Sequence, residues 1–271
     1  MTEICDTREI QLLALGVLKH FKKFCDENEI PFMLAYGTLL GAVRHRGFIP
    51  WDDDVDVMMH RFDYNRLMNL YDNTKNKTFK LISMHNNKRY FAPLAKMYDD
   101  RTLLVQNYNQ VEKTELGVYI DIFIIDSVPD IKTKAYYFYK CSVFIRFLWG
   151  MSVRKLYPKS STFIKTLLRI PLSIFCKLIG FRFFLKLYDR YSQIFNRTKT
   201  NSLGVVIFSE GYNKEIQDKG NYKNYSKIIF ENIEFNAPYD TNKYLTQMYG
   251  NYMLIPSLEN RIQHRNKIYL K

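Results

Sequence analysis

Between Tyr36 and Val57 the chain reads YGTLLGAVRHRGFIPWDDDVDV, and four carboxylates fall within five positions: Asp52, Asp53, Asp54 and Asp56. Like charges this close repel and raise one another's pKa unless something positive sits among them. A divalent cation held by oxygen ligands relieves that repulsion. Val55, Val57 and Met58 favour a strand, so the end of the run is expected to enter a sheet. Side chains alternate along a strand, which places Asp54 and Asp56 on one face. Two carboxylates at a strand end suit one or two Mg²⁺ (or Mn²⁺) ions, which bind phosphate oxygens as readily as protein oxygens. The competing reading is a solvated acidic loop. The buried-looking flank Ile49-Pro50-Trp51 and the apolar strand that follows argue for the metal.

A second element precedes the acids. Phe32–Ala35 reads as a strand, Gly37-Thr38 as a tight turn and Leu39–His45 as a short helix. Glycine lets backbone N–H groups approach an anion, and a helix N-terminus favours negative charge. A phosphate cradle followed about 15 residues later by a carboxylate pair is most of what phosphoryl chemistry requires. A third carboxylate, Asp121, interrupts the apolar run from Val118 to Ile125. A carboxylate inside such a strand is costly unless paired or metal-bound, the alternative being a strand edge satisfied by backbone N–H groups. Asp126, before Ser-Val-Pro, reads as a turn residue. Arg44, His45, Arg46 and Lys96 are candidate phosphate partners, each with a solvated surface base as its alternative. Trp51 is a candidate for stacking on a base or for core packing, and His264 a more distant candidate for the site.

The block from Tyr36 to Val57 resembles the signature of the LicD-type phosphocholine transferase family, which is related to fukutin-related proteins. Tyr119-Ile-Asp-Ile-Phe-Ile-Ile-Asp126 is similar to the family's second acidic strand. Pro238, Tyr244-Leu245, Tyr249-Gly250-Asn251-Tyr252 and Pro256 are similar to its C-terminal signature, with Asn251 where an Asp is more usual. The resemblance implies a nucleotidyltransferase fold. Carried over residue by residue, Gly37 and Thr38 would hold phosphate, Asp54 and Asp56 would bind metal, and Asp121 would be the third carboxylate. It further implies transfer of a phospho-alcohol, such as phosphocholine, from a CDP-alcohol donor to a cell-surface glycan, with release of CMP. Rival readings are an Asp-x-Asp glycosyltransferase, a nucleotidyltransferase that leaves NMP on its product, and a membrane-associated scaffold with an inactive transferase fold.

Charge separates one segment from the rest. Ile131 to Thr200 holds 15 Lys and Arg against one acid, Asp189, while the remaining chain holds 25 bases and 26 acids. The whole excess of +13 therefore sits in this stretch, which is also dense in Phe, Tyr, Trp and Leu. Its period is helical, with breaks expected at Pro158, Pro171 and Gly180, and no apolar run reaches the length of a membrane span. Three readings stay open: core-facing helices with a basic face, a patch lying on the anionic inner face of the cytoplasmic membrane, and nucleic-acid binding. Apolar density and the lack of a recognisable module argue against nucleic acid. A membrane patch would suit a lipid-linked form of the acceptor glycan.

The expected fold class is mixed α/β (α+β): a nucleotidyltransferase-like core over 1–130, a basic helical insertion over 131–200, and a C-terminal part over 201–271 that completes the core. Expected elements are helices over Arg8–Glu29, Arg61–Tyr71 and Thr241–Tyr249, and strands over Val55–Met59, Phe79–Met84, Arg89–Lys96, Thr102–Asn107, Val118–Ile125, Leu203–Phe208 and Lys227–Phe235. Four scattered cysteines fit neither a zinc spacing nor a disulfide framework, and the polar N-terminus lacks a signal-peptide pattern, which points to the cytoplasm.

Overall fold

Asp6 accepts from the Glu9 N–H at 3.1 Å and so starts α1 (Thr7–Glu27), the chain's first long element. The stripe Ile10, Ala14, Val17, Leu18 and Phe21 is buried at helical spacing. The computed structural model describes residues 2–71, 78–105, 115–154, 163–261 and 267–271. In chain order, β1 (Thr2–Ile4) precedes α1, and β2 (Met33–Leu34), α2 (Tyr36–His45), β3 (Asp56–His60) and α3 (Arg61–Tyr71) follow it. Next come β4 (Phe79–Ile82), β5 (Ala95–Asp99), β6 (Thr102–Val105) and β7 (Tyr119–Val128). Three helices then succeed one another: α4 (Lys132–Val153), α5 (Phe163–Ile179) and α6 (Phe181–Ser192). The chain closes with β8 (Ser202–Val205), α7 (Tyr212–Glu215), β9 (Gln217–Asp218), α8 (Lys219–Lys223), β10 (Tyr225–Phe230), β11 (Ile233–Pro238), α9 (Thr241–Tyr249) and β12 (Lys267–Leu270).

A seven-stranded mixed sheet carries the order β2-β3-β7-β5-β4, with β8 on β7 and β9 on β8. The fold class is mixed α/β, as expected. Strand β7 organises it. Its first half lies between β3, parallel, and β5, antiparallel, and its second half takes β8 as an antiparallel partner. Helix α1 packs against β5 and β7 and covers the sheet. A second, three-stranded sheet joins β1, β12 and β6, tying the two ends of the chain together.

Several expectations are corrected. Gly37-Thr38 is not a separate tight turn: helix α2 begins at Tyr36, so both residues sit in its first turn. Lys227–Phe235 is not one strand but a hairpin, because Glu231 and Asn232 both take positive φ (49° and 62°) and reverse the chain. In the stretch Arg89–Lys96 only Ala95 and Lys96 are in a strand. Pro171 does not break the insertion, since α5 runs through it, whereas Gly180, at φ +89°, does separate α5 from α6. Pro158 and His264 lie outside the described residues.

Asp126 is also not a turn residue. It lies within β7, buried, and both its carboxylate oxygens accept from Arg61, at 2.9 and 2.6 Å. The same guanidinium donates to Asp189 at 2.7 Å and to Ser192 Oγ at 2.9 Å. Asp189 is the single acid of the basic segment, so one buried arginine ties α6 to the sheet. Replacing Arg61 by Leu leaves Asp126 buried without its cation. Urea denaturation is expected to give a loss of about 3–5 kcal/mol; a loss below ~1 kcal/mol would show that the pairing is not structural.

Candidate active site

Strand pairing assembles the site. Asp56 on β3 is the parallel register partner of Asp121 on β7, and Asp121 is the antiparallel partner of Lys96 on β5. Register partners project to the same face, so the three side chains form one row across three strands. Lys96 Nζ donates to Asp121 Oδ1 at 2.5 Å and stands 3.4 Å from the centroid of the Tyr119 ring. Asp54 lies just ahead of β3. It joins Asp52, Asp53, Asp56, Asp121 and Lys96 in lining a cavity of about 1130 Å³.

Contacts absent from the motif itself hold the acidic loop. Thr38 Oγ1, buried in the first turn of α2, accepts from the Asp56 N–H at 2.8 Å and so locks α2 to the start of β3. Gln11, buried on α1, donates to the carbonyls of Ile49 and Asp52 at 3.2 and 2.8 Å. Glu231, at the hairpin turn, accepts from the Phe48 N–H at 3.2 Å and from Arg8 at 2.9 and 2.6 Å. A Cβ on Gly47 would lie 2.4 Å from Glu231 Oε1, so a larger residue at 47 would have to displace the Glu231 carboxylate that holds the Phe48 N–H. A Cβ on Gly37 would come within 3.1 Å of Asp52 Oδ2, which leaves the helix N-terminus open to the acidic loop.

The site carries more negative charge than its one buried ammonium offsets. Burial pushes the Asp56 carboxyl well above its ordinary range, and Asp54, Asp121 and Asp52 push it further against the opposing pull of Lys96. Burial and the neighbouring Asp54 raise Asp52 to about 8. Burial also opposes the charge on Lys96, but Asp121, with Tyr119 and Tyr90, outweighs it and shifts Lys96 upward.

Hard carboxylate oxygens in charge excess suit Mg²⁺ or Mn²⁺ in kind. As the side chains lie, no three His, Cys, Asp or Glu residues among the described ones converge as a closed ligand set, and Asp121 is turned to Lys96. Of these carboxylates, Asp54 and Asp56 stand at the start of β3 and are oxygen donors of the kind such a cation takes.

Other candidates fall at varied distances from this row. Gly37 and Arg44 line the cavity. Arg44 also donates to the carbonyls of Tyr252 at 3.0 Å and Leu254 at 3.2 Å, binding α2 to the segment after α9. His45 Nε2 accepts from Arg44 Nε at 3.0 Å, and Arg46 is exposed at the C-cap of α2. Trp51 lines the cavity with the Arg261 guanidinium 4.1 Å from its ring centroid. Asn251, of the C-terminal signature, lines it as well. Sequence reasoning missed Gln11, Glu231 and Glu215. None stands in the motif, and only an alignment of tertiary neighbours would have signalled them.

Comparison with known proteins finds relatives of the stretch that carries this geometry. The family model for the nucleotidyltransferase domain of LicD/FKTN/FKRP matches residues 29–148, which span α2, the acidic loop, β3, β5 and β7. Over residues 29–148 the chain is thus similar to that domain. Over 263 residues the chain is 29% identical to the lipopolysaccharide cholinephosphotransferase LicD of Haemophilus influenzae, covering 95% of both chains. Shorter matches of 47% identity join it to the proteins RP689 of Rickettsia prowazekii, over 45 residues, and RT0683 of Rickettsia typhi, over 58 residues. Those cover 16% and 21% of this chain and 17% and 18% of the relatives.

Beneath α2, Glu215 is fully buried. It accepts from the Tyr36 hydroxyl at 3.2 and 3.1 Å and from the Glu210 N–H at 2.7 Å. Burial pushes its carboxyl from an ordinary 4.5 up to about 8. Between those values the folded chain keeps a proton that the unfolded chain releases, so stability falls as pH rises through the window. Glu215→Gln keeps the accepting oxygen and removes the titration. Its melting temperature is expected to fall less than wild type's between pH 5 and 8, each ~1 kcal/mol appearing as roughly 2–4 °C. Parallel curves for the two proteins would contradict this.

Proposed function

We propose that this protein transfers a phospho-alcohol group, phosphocholine or a close chemical relative, from a CDP-alcohol donor to a glycan and releases CMP. The observation that carries the reading is the row Asp56, Asp121 and Lys96 beside Asp54, facing a cavity of about 1130 Å³. The name of the Haemophilus relative, a lipopolysaccharide cholinephosphotransferase aligned over nearly the whole chain, supports it.

Asp54 and Asp56 would hold Mg²⁺ or Mn²⁺, with Asp121 as a third ligand once released from Lys96. A bound cation supplies charge neutralisation at the donor pyrophosphate and on the departing CMP. The open N–H groups at the start of α2, around Gly37, favour a phosphate oxygen there. Lys96 balances Asp121 and offers a buried positive charge to the phosphates. One of the carboxylates takes the proton of the acceptor hydroxyl as it attacks phosphorus.

The insertion supports a membrane location for the reaction. Among the described residues no helix is long and apolar enough to cross a membrane. Yet α4, α5 and α6 leave Tyr137, Phe144, Phe175, Leu178 and Phe183 exposed, Leu178 to 82%. Aromatic and aliphatic side chains on helices of the segment that carries the chain's basic excess suit the anionic leaflet, where a lipid-linked acceptor would lie.

Two measurements test the proposal. Asp54→Asn and Asp56→Asn should each reduce CMP release from CDP-choline and Mg²⁺ by about 100-fold or more, with melting temperature unchanged. Near wild-type turnover in either variant would remove these residues from the reaction, and pyrophosphate released from a triphosphate would favour nucleotide addition. Co-sedimentation with phosphatidylserine vesicles should be strong at low salt and weaken without vanishing at high salt, since the apolar contribution is not screened. Protein that stays in the supernatant at low salt would leave the insertion as a basic-faced helical subdomain.

A further inference from the structure

Glu215, buried beneath α2, joins three stretches of the cavity lining. Its carboxyl oxygens accept from the Tyr36 hydroxyl at 3.2 and 3.1 Å and from the Glu210 N–H at 2.7 Å. Tyr36 opens α2, and Glu210 belongs to the segment after β8; both line the cavity that carries Asp54 and Asp56. The third stretch is the end of α9. Gln247 donates to the carbonyls of Lys214 and Ile216, on either side of Glu215, at 3.0 and 2.7 Å. Its chain neighbours Met248 and Tyr249 line the same cavity. Helix α7 is also seated closely on β8, where a Cβ at Gly204 would lie 2.9 Å from the Glu215 carbonyl oxygen.

Two of the joined stretches hold a residue against its own backbone. Tyr36 has φ +42° and Phe208 has φ +62°, in the left-handed region that bulky side chains rarely adopt. Each is secured through a hydroxyl. Tyr36 reaches Glu215 with its own, and the Phe208 N–H donates to the hydroxyl of Tyr188 at 3.0 Å. Such strain persists only where surrounding contacts over-determine it, and it clusters at functional sites. The Tyr36 ring packs edge-on against Phe123 of β7, with centroids 4.6 Å apart. Phenylalanine would supply that packing equally well. The hydroxyl adds a bond to a residue 179 positions away. Burying a carboxyl group there is costly, and an apolar core would avoid that cost.

We propose that Glu215 is a positioning residue for the donor. By holding the Tyr36 hydroxyl and the Glu210 N–H on one carboxyl group, it fixes the spacing of α2 from the segment that carries Phe208 and Glu210. That spacing sets the shape of the cavity that receives the donor. Glu215 itself touches neither donor nor acceptor and acts through Tyr36 and Glu210. This rests on the CDP-alcohol reading above and adds to it the residue that shapes the site.

Steady-state kinetics of the full chain with CDP-choline, Mg²⁺ and the acceptor, following CMP release, test it in four variants. Tyr36→Phe should raise KM for CDP-choline about tenfold, the scale of one buried hydrogen bond. Its kcat should stay within about twofold of wild type, because a wall of the cavity holds ground state and transition state alike. Glu215→Leu should do the same, while Glu215→Gln, which mimics the protonated carboxyl that burial favours, should retain the wild-type KM. In the double variant Tyr36→Phe/Glu215→Leu the rise in KM should not exceed that of Glu215→Leu alone, since the two residues make one contact. A merely structural role would lower the fraction of active protein, and therefore kcat, with KM unmoved. That pattern, a wild-type KM in Tyr36→Phe, or a Glu215→Gln as impaired as Glu215→Leu would overturn the assignment and leave the CDP-alcohol reading intact. Wild-type protein that releases no CMP from any CDP-alcohol would overturn that reading, and the positioning role with it.

Discussion

Parallel pairing of β3 with β7, in the register that sets Asp56 beside Asp121, is the constraint on which the rest of the structure depends. Parallel strands cannot be joined by a tight turn, so the chain must travel through α3, β4, β5 and β6 before β7 arrives. That excursion delivers β5 to the other edge of β7, and with it Lys96 to Asp121. A slip of one residue at either ladder would send these side chains to the opposite face of the sheet. Burial of the apolar neighbours Val57, Met58, Ile120 and Ile122 on this sheet resists such a slip.

Concentrating carboxylates beneath a cavity is electrostatically unfavourable, and the structure offsets it from several directions. Lys96 neutralises one charge. Glu231 and Arg8 hold the loop from one side, and Gln11 from below. The hairpin of β10 and β11 exists in part to bring Glu231 to Phe48, and its positive-φ turn residues are the local cost of that position. Repulsion between Asp52, Asp54 and Asp56 remains, which is the physical reason a cation belongs in the reading of the site.

The basic insertion is bound to the core by several polar contacts, among them Arg61 to Asp189, Ser142 to the Val206 carbonyl and Arg182 to the Lys88 carbonyl, and along an aromatic wall. Arg61 grips Asp126 of the sheet and Asp189 of α6 together. Trp149 and Phe208 close the cavity, so helices that face away from the sheet with exposed Phe and Leu also shape the binding site.

By itself the sequence determined the mixed α/β class, the helices Arg61–Tyr71 and Thr241–Tyr249, and the two acidic strands, because hydrophobic period and local chemistry are encoded by near neighbours. It marked Asp54, Asp56, Asp121 and Lys96, since charges inside apolar runs are visible without a structure. It misread Asp126 as a turn residue, because the partner that makes its burial tolerable, Arg61, is distant in the chain. It missed the break between β10 and β11, where a two-residue turn without glycine interrupts an apolar-polar alternation that looks continuous. Only the tertiary structure decided that Thr38 secures Asp56 and that Gln11 and Glu231 pin the acidic loop. It also decided that Phe91, Trp149 and Phe208, from three separate segments, meet at one cavity. Each of these follows from which surfaces come to lie together when the core closes, and long-range packing leaves no periodic trace along a single chain.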